Sequence, residues 1–244
     1  MRDRFLKGQW AAYEGLVYPQ YQSTLHSIRH DRLLVYMRDQ IIKGARLEWL
    51  ASYDFGMVSP SCYLLAFTDI KGNTFIVDGY YEKEVSVEWQ ANKMIEIGNR
   101  YGAYSPWIYS DPDIFRRKAG DHRTVGKAVT DMFADVNSSL LFTRGDNNIA
   151  SGISKVSAYL EPREYHLHPI TGESNAPMLY HSDRLTFIEQ EITSYYWTTD
   201  SSGERDDTPT DRNDHAMDAI KYLLSHKPEP ATLIVKPQTQ RRRS

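Results

Sequence analysis

The chain has 244 residues, 41% of them hydrophobic and 25% charged, which suits a soluble globular protein of one large or two small domains. Its net charge of −3, from 29 basic and 32 acidic residues, does not advertise a nucleic-acid binder, although a groove can be basic on an acidic protein. One cysteine excludes an internal disulfide and any multi-cysteine zinc site, and no apolar run approaches the roughly 18 residues of a membrane span.

The N-terminus, MRDRFLKGQW, lacks the apolar run of a signal peptide, so the expectation is a soluble intracellular protein. Residues 1–45 form a mixed lead-in, aromatic-rich from Arg2 to Tyr21 and without a clean period. From Arg46 three apolar, β-branched and aromatic runs follow: LEWLASYDFG, CYLLAFTDI and TFIVDGYYEKE. SPS at 59–61 and KGN at 71–73 separate them, which predicts a three-strand antiparallel meander. Cys62 opens the second run and reads as a buried small hydrophobe.

Val87 to Arg100 carries Trp89, Met94, Ile95 and Ile97 at helical spacing and should end near Gly102. WIYSDPDIF reads as a short strand stopped by Pro112, which has no N–H for a ladder. Helices are expected over Lys127 to Val136, Asn148 to Leu160, Leu185 to Tyr195 and Asp211 to Ser225, with LLFTR and MLYHS as strands between them. Residues 227–244, with three prolines and a terminal RRR, read as a flexible basic tail, which leaves 46–226 as the folded domain. A meander followed by alternating helices and strands implies a mixed α/β sheet with helices on its faces.

Three acidic positions stand out by placement. Asp54 ends the first strong strand, where an Asp is costly to bury unpaired, and Gly56 just after it lets the backbone approach a ligand; a simple turn is the other reading. Asp111 sits at the carboxyl end of an apolar strand, the edge at which α/β sheets bind ligands, with Asp113 as its rival. In TDRNDHAMDAIKYLLS, Asp214 and Asp218 are four residues apart and share a helix face with His215 beside them, opposite an apolar face of Ala216, Ala219, Ile220, Leu223 and Leu224. That face is either solvated or gathered around a cation. Carboxylates suit Mg2+ and Mn2+, and phosphodiester hydrolysis commonly uses two such ions about 4 Å apart.

The segments WLASYDFG, IYSDPDIF, LFTRGDNNIASGISKV and DRNDHAMDAIKYLL, in that order, resemble the C-terminal nuclease domain of phage large terminases, from about Leu47 to Leu224. FLKGQWAAYEGLVYP resembles the lead-in to that domain. The resemblance implies a ribonuclease H-like fold and an endonuclease that cuts double-stranded viral DNA during genome packaging, with Mg2+ or Mn2+ as cofactor, two ions in all. It implies catalytic and metal-binding roles for Asp54, Asp111 and Asp218, and a metal-ligand role for His215, with Asp214 as a further candidate. It also implies an ATPase domain, a small terminase subunit and the portal as partners, a location in the host cytoplasm, and no membrane.

GDHRTVGKAV is not a phosphate loop: Gly120 and Gly126 are one residue too far apart and Ala128 replaces the required Ser or Thr, so no ATPase is expected in this chain. Arg116, Arg117, Lys118, Arg123 and Lys127 outnumber Asp111, Asp113 and Asp121 in one stretch and, with Arg144, are candidates to track DNA phosphates. His166, His168 and His181 could bind zinc in principle, but a surface hairpin is the better reading. Two other functions stay open: another ribonuclease H-like nuclease, such as a junction resolvase or hybrid nuclease, and a non-catalytic DNA-docking module.

Overall fold

The computed structural model describes residues 15–103, 107–117, 123–136, 138, 140–199, 205–228 and 230. The three apolar runs form the expected meander: β2 (Glu48–Asp54), β3 (Ser61–Thr68) and β4 (Thr74–Glu82), with β3 antiparallel to both neighbours. A short β1 (Ser27–Ile28) precedes them, between the helices α1 (Ser23–His26) and α2 (His30–Ile42). After α3 (Val87–Tyr101) come β5 (Trp107–Ser110), a 3-10 turn at Pro112–Phe115, α4 (Val125–Asp135), β6 (Leu141–Arg144) and α5 (Ile149–Leu160). A hairpin of β7 (Arg163–Leu167) and β8 (Ser174–Ala176) leads to β9 (Leu179–Ser182) and α6 (Thr186–Ile192). A second hairpin, β10 (Trp197–Thr199) and β11 (Arg205–Pro209), precedes α7 (His215–Leu224).

One seven-stranded sheet runs in the order β1-β9-β4-β3-β2-β5-β6. The strands β1, β9 and β4 are mutually parallel, as are β2, β5 and β6 on the other side of the antiparallel β3. All eight residues of β3 are buried, because both faces of the sheet are covered. Cys62, Leu64 and Ala66 face one core with Ile153, Leu185, Ile188 and most of α7; Tyr63, Leu65 and Phe67 face another with Leu33, Met94, Ile97 and Phe133. Val17, Tyr18 and Tyr21 of the lead-in belong to the first core.

Helix ends follow local chemistry. The Ser86 hydroxyl accepts the N–H of Trp89 to start α3, and Gly102 at φ 60° ends it in the left-handed region. Thr124 caps α4, whose first residue Val125 comes two before the expected Lys127, and Asn148 caps α5. Two expectations differ from the structure. The helix after Leu185 stops at Ile192, and the chain leaves it to bond Gly15 and Val17 through Tyr195 and Trp197. The last helix begins at His215 rather than Asp211, because Asn213 holds φ at +53°, a value no α-helix contains. Among the described residues no helix is long and apolar enough to cross a membrane.

Candidate active site

The parallel pairing of β2 with β5 brings the first two acidic candidates to one end of the sheet. Tyr53 is in register with Ser110, and the N–H of Asp111 continues the ladder to the Tyr53 carbonyl at 3.2 Å, so Asp54 and Asp111 leave adjacent strands at the same edge. Arg144 ends β6 one strand further on, opposite Ser110. Strand alternation puts Asp54 on the same face as Leu50, the face covered by α7. There the Asp54 Oδ2 lies 2.8 Å from His215 Nδ1. An ionised carboxylate only accepts, so the imidazole donates from Nδ1 and keeps Nε2 as its acceptor nitrogen.

The acids feel one another. Burial pushes the Asp54 carboxyl up to about 6, the His215 bond pulls it back, and Asp218 and Asp111 push it up again. Asp111 is raised by burial first, against the Asp113 N–H that its side chain accepts at 2.9 Å, with Asp113 and Asp218 adding to the rise. Burial also pushes Asp214 up to about 6, and Asp218 adds to it. His215 is raised, chiefly by its bond to Asp54.

Asp54 therefore holds a proton in the folded protein that the unfolded chain releases between about pH 4 and about pH 6, and the raised His215 acts in the same sense at higher pH. Retaining protons that the unfolded chain loses makes the fold less stable as pH rises through that window. Histidines such as His26 and His181, lowered by burial, act in the opposite sense, so a difference measurement isolates the pair. Asn mimics the neutral carboxyl, so the melting temperature of Asp54→Asn minus that of wild type, both in EDTA, should increase from about pH 4 to about pH 6. A difference that is flat with pH would contradict the pairing.

The candidates on the last helix stand in different places. Asp214 lies outside α7 as its N-cap residue, and its carbonyl accepts the N–H of Asp218 at 2.8 Å. Asp218 lies in the first turn, with its Oδ1 2.5 Å from the Lys221 Nζ as an ion pair but without a hydrogen bond of normal angle. Eight of the ten α7 residues are buried, so this helix has no broad solvated face. Asp211, Asp214, Asp218, Lys221, Tyr195 and Tyr222 line a cavity of about 400 Å³ beside the sheet edge. A larger cavity of about 650 Å³, lined by Tyr36, Asp69 and Ile170, lies away from these acids and carries none of their chemistry.

The hard oxygen donors of Asp54, Asp111 and Asp218, electrostatically coupled at one sheet edge, fit a divalent cation by donor type. Among the described residues, no three His, Cys, Asp or Glu side chains stand together as a ready-made metal cage. Each carboxylate instead takes a local partner: His215 for Asp54, a backbone N–H for Asp111 and Lys221 for Asp218.

Other candidates resolve individually. Arg116 pairs with Asp113 at 2.9 Å, Arg123 and Lys127 both pair with Asp131, and Arg144 lies over the Phe115 ring at 5.4 Å. Arg117 is exposed, and Lys118 lies outside the described residues. The three histidines do not converge: His166 bonds Asn73, His168 accepts the N–H groups of Ile170 and Thr171, and His181 bonds the Tyr21 hydroxyl. Gly56 proves to serve the backbone rather than a ligand, since a Cβ there would meet the Pro60 carbonyl oxygen at 2.2 Å.

Sequence reasoning missed Glu191. It is 4% exposed on α6, and its Oε2 accepts the Ala216 N–H at 2.6 Å, satisfying a donor at the start of α7. No local signal marks it, because its partner is a backbone group 25 residues away.

No family model matches the sequence, and no curated protein matches it significantly. Solved structures do. The large terminase of a thermophilic bacteriophage, in complex with ADP, superposes with a TM-score of 0.61 at 15% identity, over 87% of this chain and 44% of that one. A second structure of the same protein gives 0.59 at 16% identity, over 87% and 45%. The chain shares its fold with a large terminase. The nuclease domain of the P22 large terminase also matches, with a TM-score of 0.48 at 16% identity, over 73% of this chain and 80% of that one. The sheet is the mixed one expected, an antiparallel meander flanked by parallel strands and helices. This chain spans less than half the length of the thermophilic phage terminase.

Proposed function

We propose that the chain is a divalent-metal-dependent endonuclease that cleaves double-stranded viral DNA during genome packaging, with residues 46–226 carrying the chemistry. The observation behind this reading is the meeting of Asp54 and Asp111 at adjacent strand ends with His215 and Asp218 of α7 beside them. Asp54, Asp111 and Asp218 would hold two Mg2+ or Mn2+ ions, with His215 as a further ligand and Asp214 as the alternative on that segment. Such ions supply activation of the attacking water and neutralisation of charge on the phosphate.

The chain's own residues do the rest. Asp54 orients the His215 ring through Nδ1 and so aims Nε2. Buried β2 and α7 fix both groups on rigid elements, which limits how far they can drift from a productive geometry. Arg144 ends β6 at the same edge, and it, Arg116, Arg117, Lys118, Arg123 and Lys127 are the proposed contacts to DNA phosphates, for which Arg116, Arg123 and Lys127 would exchange their present carboxylate partners. The ATPase domain, the small terminase subunit and the portal belong to the same proposal as partners.

Plasmid digestion in Mg2+, Mn2+ or EDTA, beside Holliday-junction and RNA–DNA hybrid substrates, tests the reading. Cleavage of the plasmid that EDTA stops is expected. Preference for the junction or the hybrid would favour another ribonuclease H-like nuclease, and no cleavage in any arm would favour a docking module. Within the site, Asp218→Ala should be inactive, whereas His215→Ala should cleave again at raised metal concentration, since neutral imidazole adds a ligand without charge. Mn2+ at about 100 times Kd should stabilise the wild type by roughly 2.7 kcal/mol. An inactive Asp214→Ala beside a normal Asp218→Ala would move the site one turn earlier.

A further inference from the structure

The Lys221 side chain lies where a lysine is expensive to keep. The residue is 8% exposed, and removing an ammonium from water is costly unless it is paired. Its stem runs so close to α5 that a Cβ on Gly152 would stand 3.1 Å from both Cγ and Cδ. Its head reaches Asp218 Oδ1 at 2.5 Å and sits 5.9 Å from the centroid of the Tyr195 ring. The stem is clamped, so the ammonium can move only within the cavity, whose wall also carries Asp211 and Asp214.

We propose that Lys221 is a built-in counter-cation that competes with a divalent ion for Asp218, holding that carboxylate until the ion arrives and then swinging toward Asp214. The inference rests on the reading of Asp218 as a metal ligand. Two cations facing one carboxylate repel strongly at these distances, so the bound ion and the paired lysine exclude each other. A lysine suits this role because its compact charge rides on a flexible stem whose end can turn while the rest stays packed. The charge also keeps Asp218 from facing Asp54, Asp111 and Asp214 unneutralised.

The test is calorimetric Mn2+ binding to the full chain, comparing wild type with Lys221→Met, Lys221→Arg and Asp218→Ala. Lys221→Met keeps the length of the stem and removes the charge, and it should bind Mn2+ at least about tenfold more tightly. Lys221→Arg should stay close to wild type. Unchanged or weaker binding by a folded Lys221→Met would overturn the proposal, because a lysine that merely packs there has no reason to oppose the ion. Asp218→Ala separates the two failures: binding equal to wild type removes Asp218 as a ligand, whereas lost binding with no effect of Lys221→Met removes only the competition. If Lys221→Met does not fold, nitrogen-detected NMR of the wild-type lysine ammonium decides. Its signal should shift on saturation with Mg2+, and a signal unmoved by the ion overturns the proposal.

Discussion

Asp54→Asn is expected to give a folded protein that retains less than about a tenth of wild-type cleavage, with Asp111→Asn behaving alike. The amide preserves shape but lacks the charge that attracts a hard cation. It also replaces the charge-assisted bond to His215 Nδ1 with a weaker one to a neutral amide oxygen, so the imidazole is held less firmly. Folding should survive, because burial already disfavours the ionised form of Asp54. Gel assays of plasmid cleavage, with circular dichroism to verify folding, check this. Activity above that level in both variants would remove Asp54 and Asp111 from the site.

Gly145→Ala should be among the most damaging single-methyl changes in the chain, destabilising it by about 1–3 kcal/mol and depressing cleavage as well. A Cβ at residue 145 would stand 2.4 Å from Tyr222 Cδ1 and 3.1 Å from Tyr222 Cβ. Contact with the root of the ring as well as its edge means that a rotamer change cannot relieve it; α7 itself must shift. Tyr222 is buried and bonds Asn147 through its hydroxyl, and Asp111, Asp218 and Asp54 all act on that hydroxyl after burial itself in raising its pKa. The shift would therefore reach the carboxylates. Urea unfolding measures the first effect, and stability within about 0.5 kcal/mol of wild type would rule out the contact.

The readable parts of this protein are those whose cause is local. The apolar and aromatic runs LEWLASYDFG, CYLLAFTDI and TFIVDGYYEKE, broken by SPS and KGN, mark the meander because such runs and turn residues act over a few positions. Asp54 is conspicuous as an acid ending a strand that is otherwise apolar, and it is buried as that placement implies. The β10–β11 hairpin is hidden because RDDTP carries no apolar alternation. Asn213 delays the last helix by adopting a backbone angle that its sequence neighbourhood does not announce. Lys221 looks like an ordinary cation in a helix's last turn, and only the absence of a side chain at Gly152, on a different helix, lets it be buried. Glu191 serves the N–H of Ala216 across a tertiary contact, which no periodicity encodes.

The last helix belongs simultaneously to the larger structural body and to the reactive edge. Ala216, Met217, Ala219, Ile220, Leu223 and Leu224 sit among the side chains that hold one face of the sheet, while His215 and Asp218 extend from the same short helix. Small local openings are drawn from segments with few buried contacts, and this helix is not one of them. Its amides should exchange with solvent only when the whole protein unfolds, so the reactive groups have no separate melting of their own. Any inactivation by loosening of this helix is then all-or-none across a population: at a given temperature some molecules are fully competent and the remainder are unfolded. Partial loss of activity on warming would report the size of the first group, not a gradual decline in each molecule.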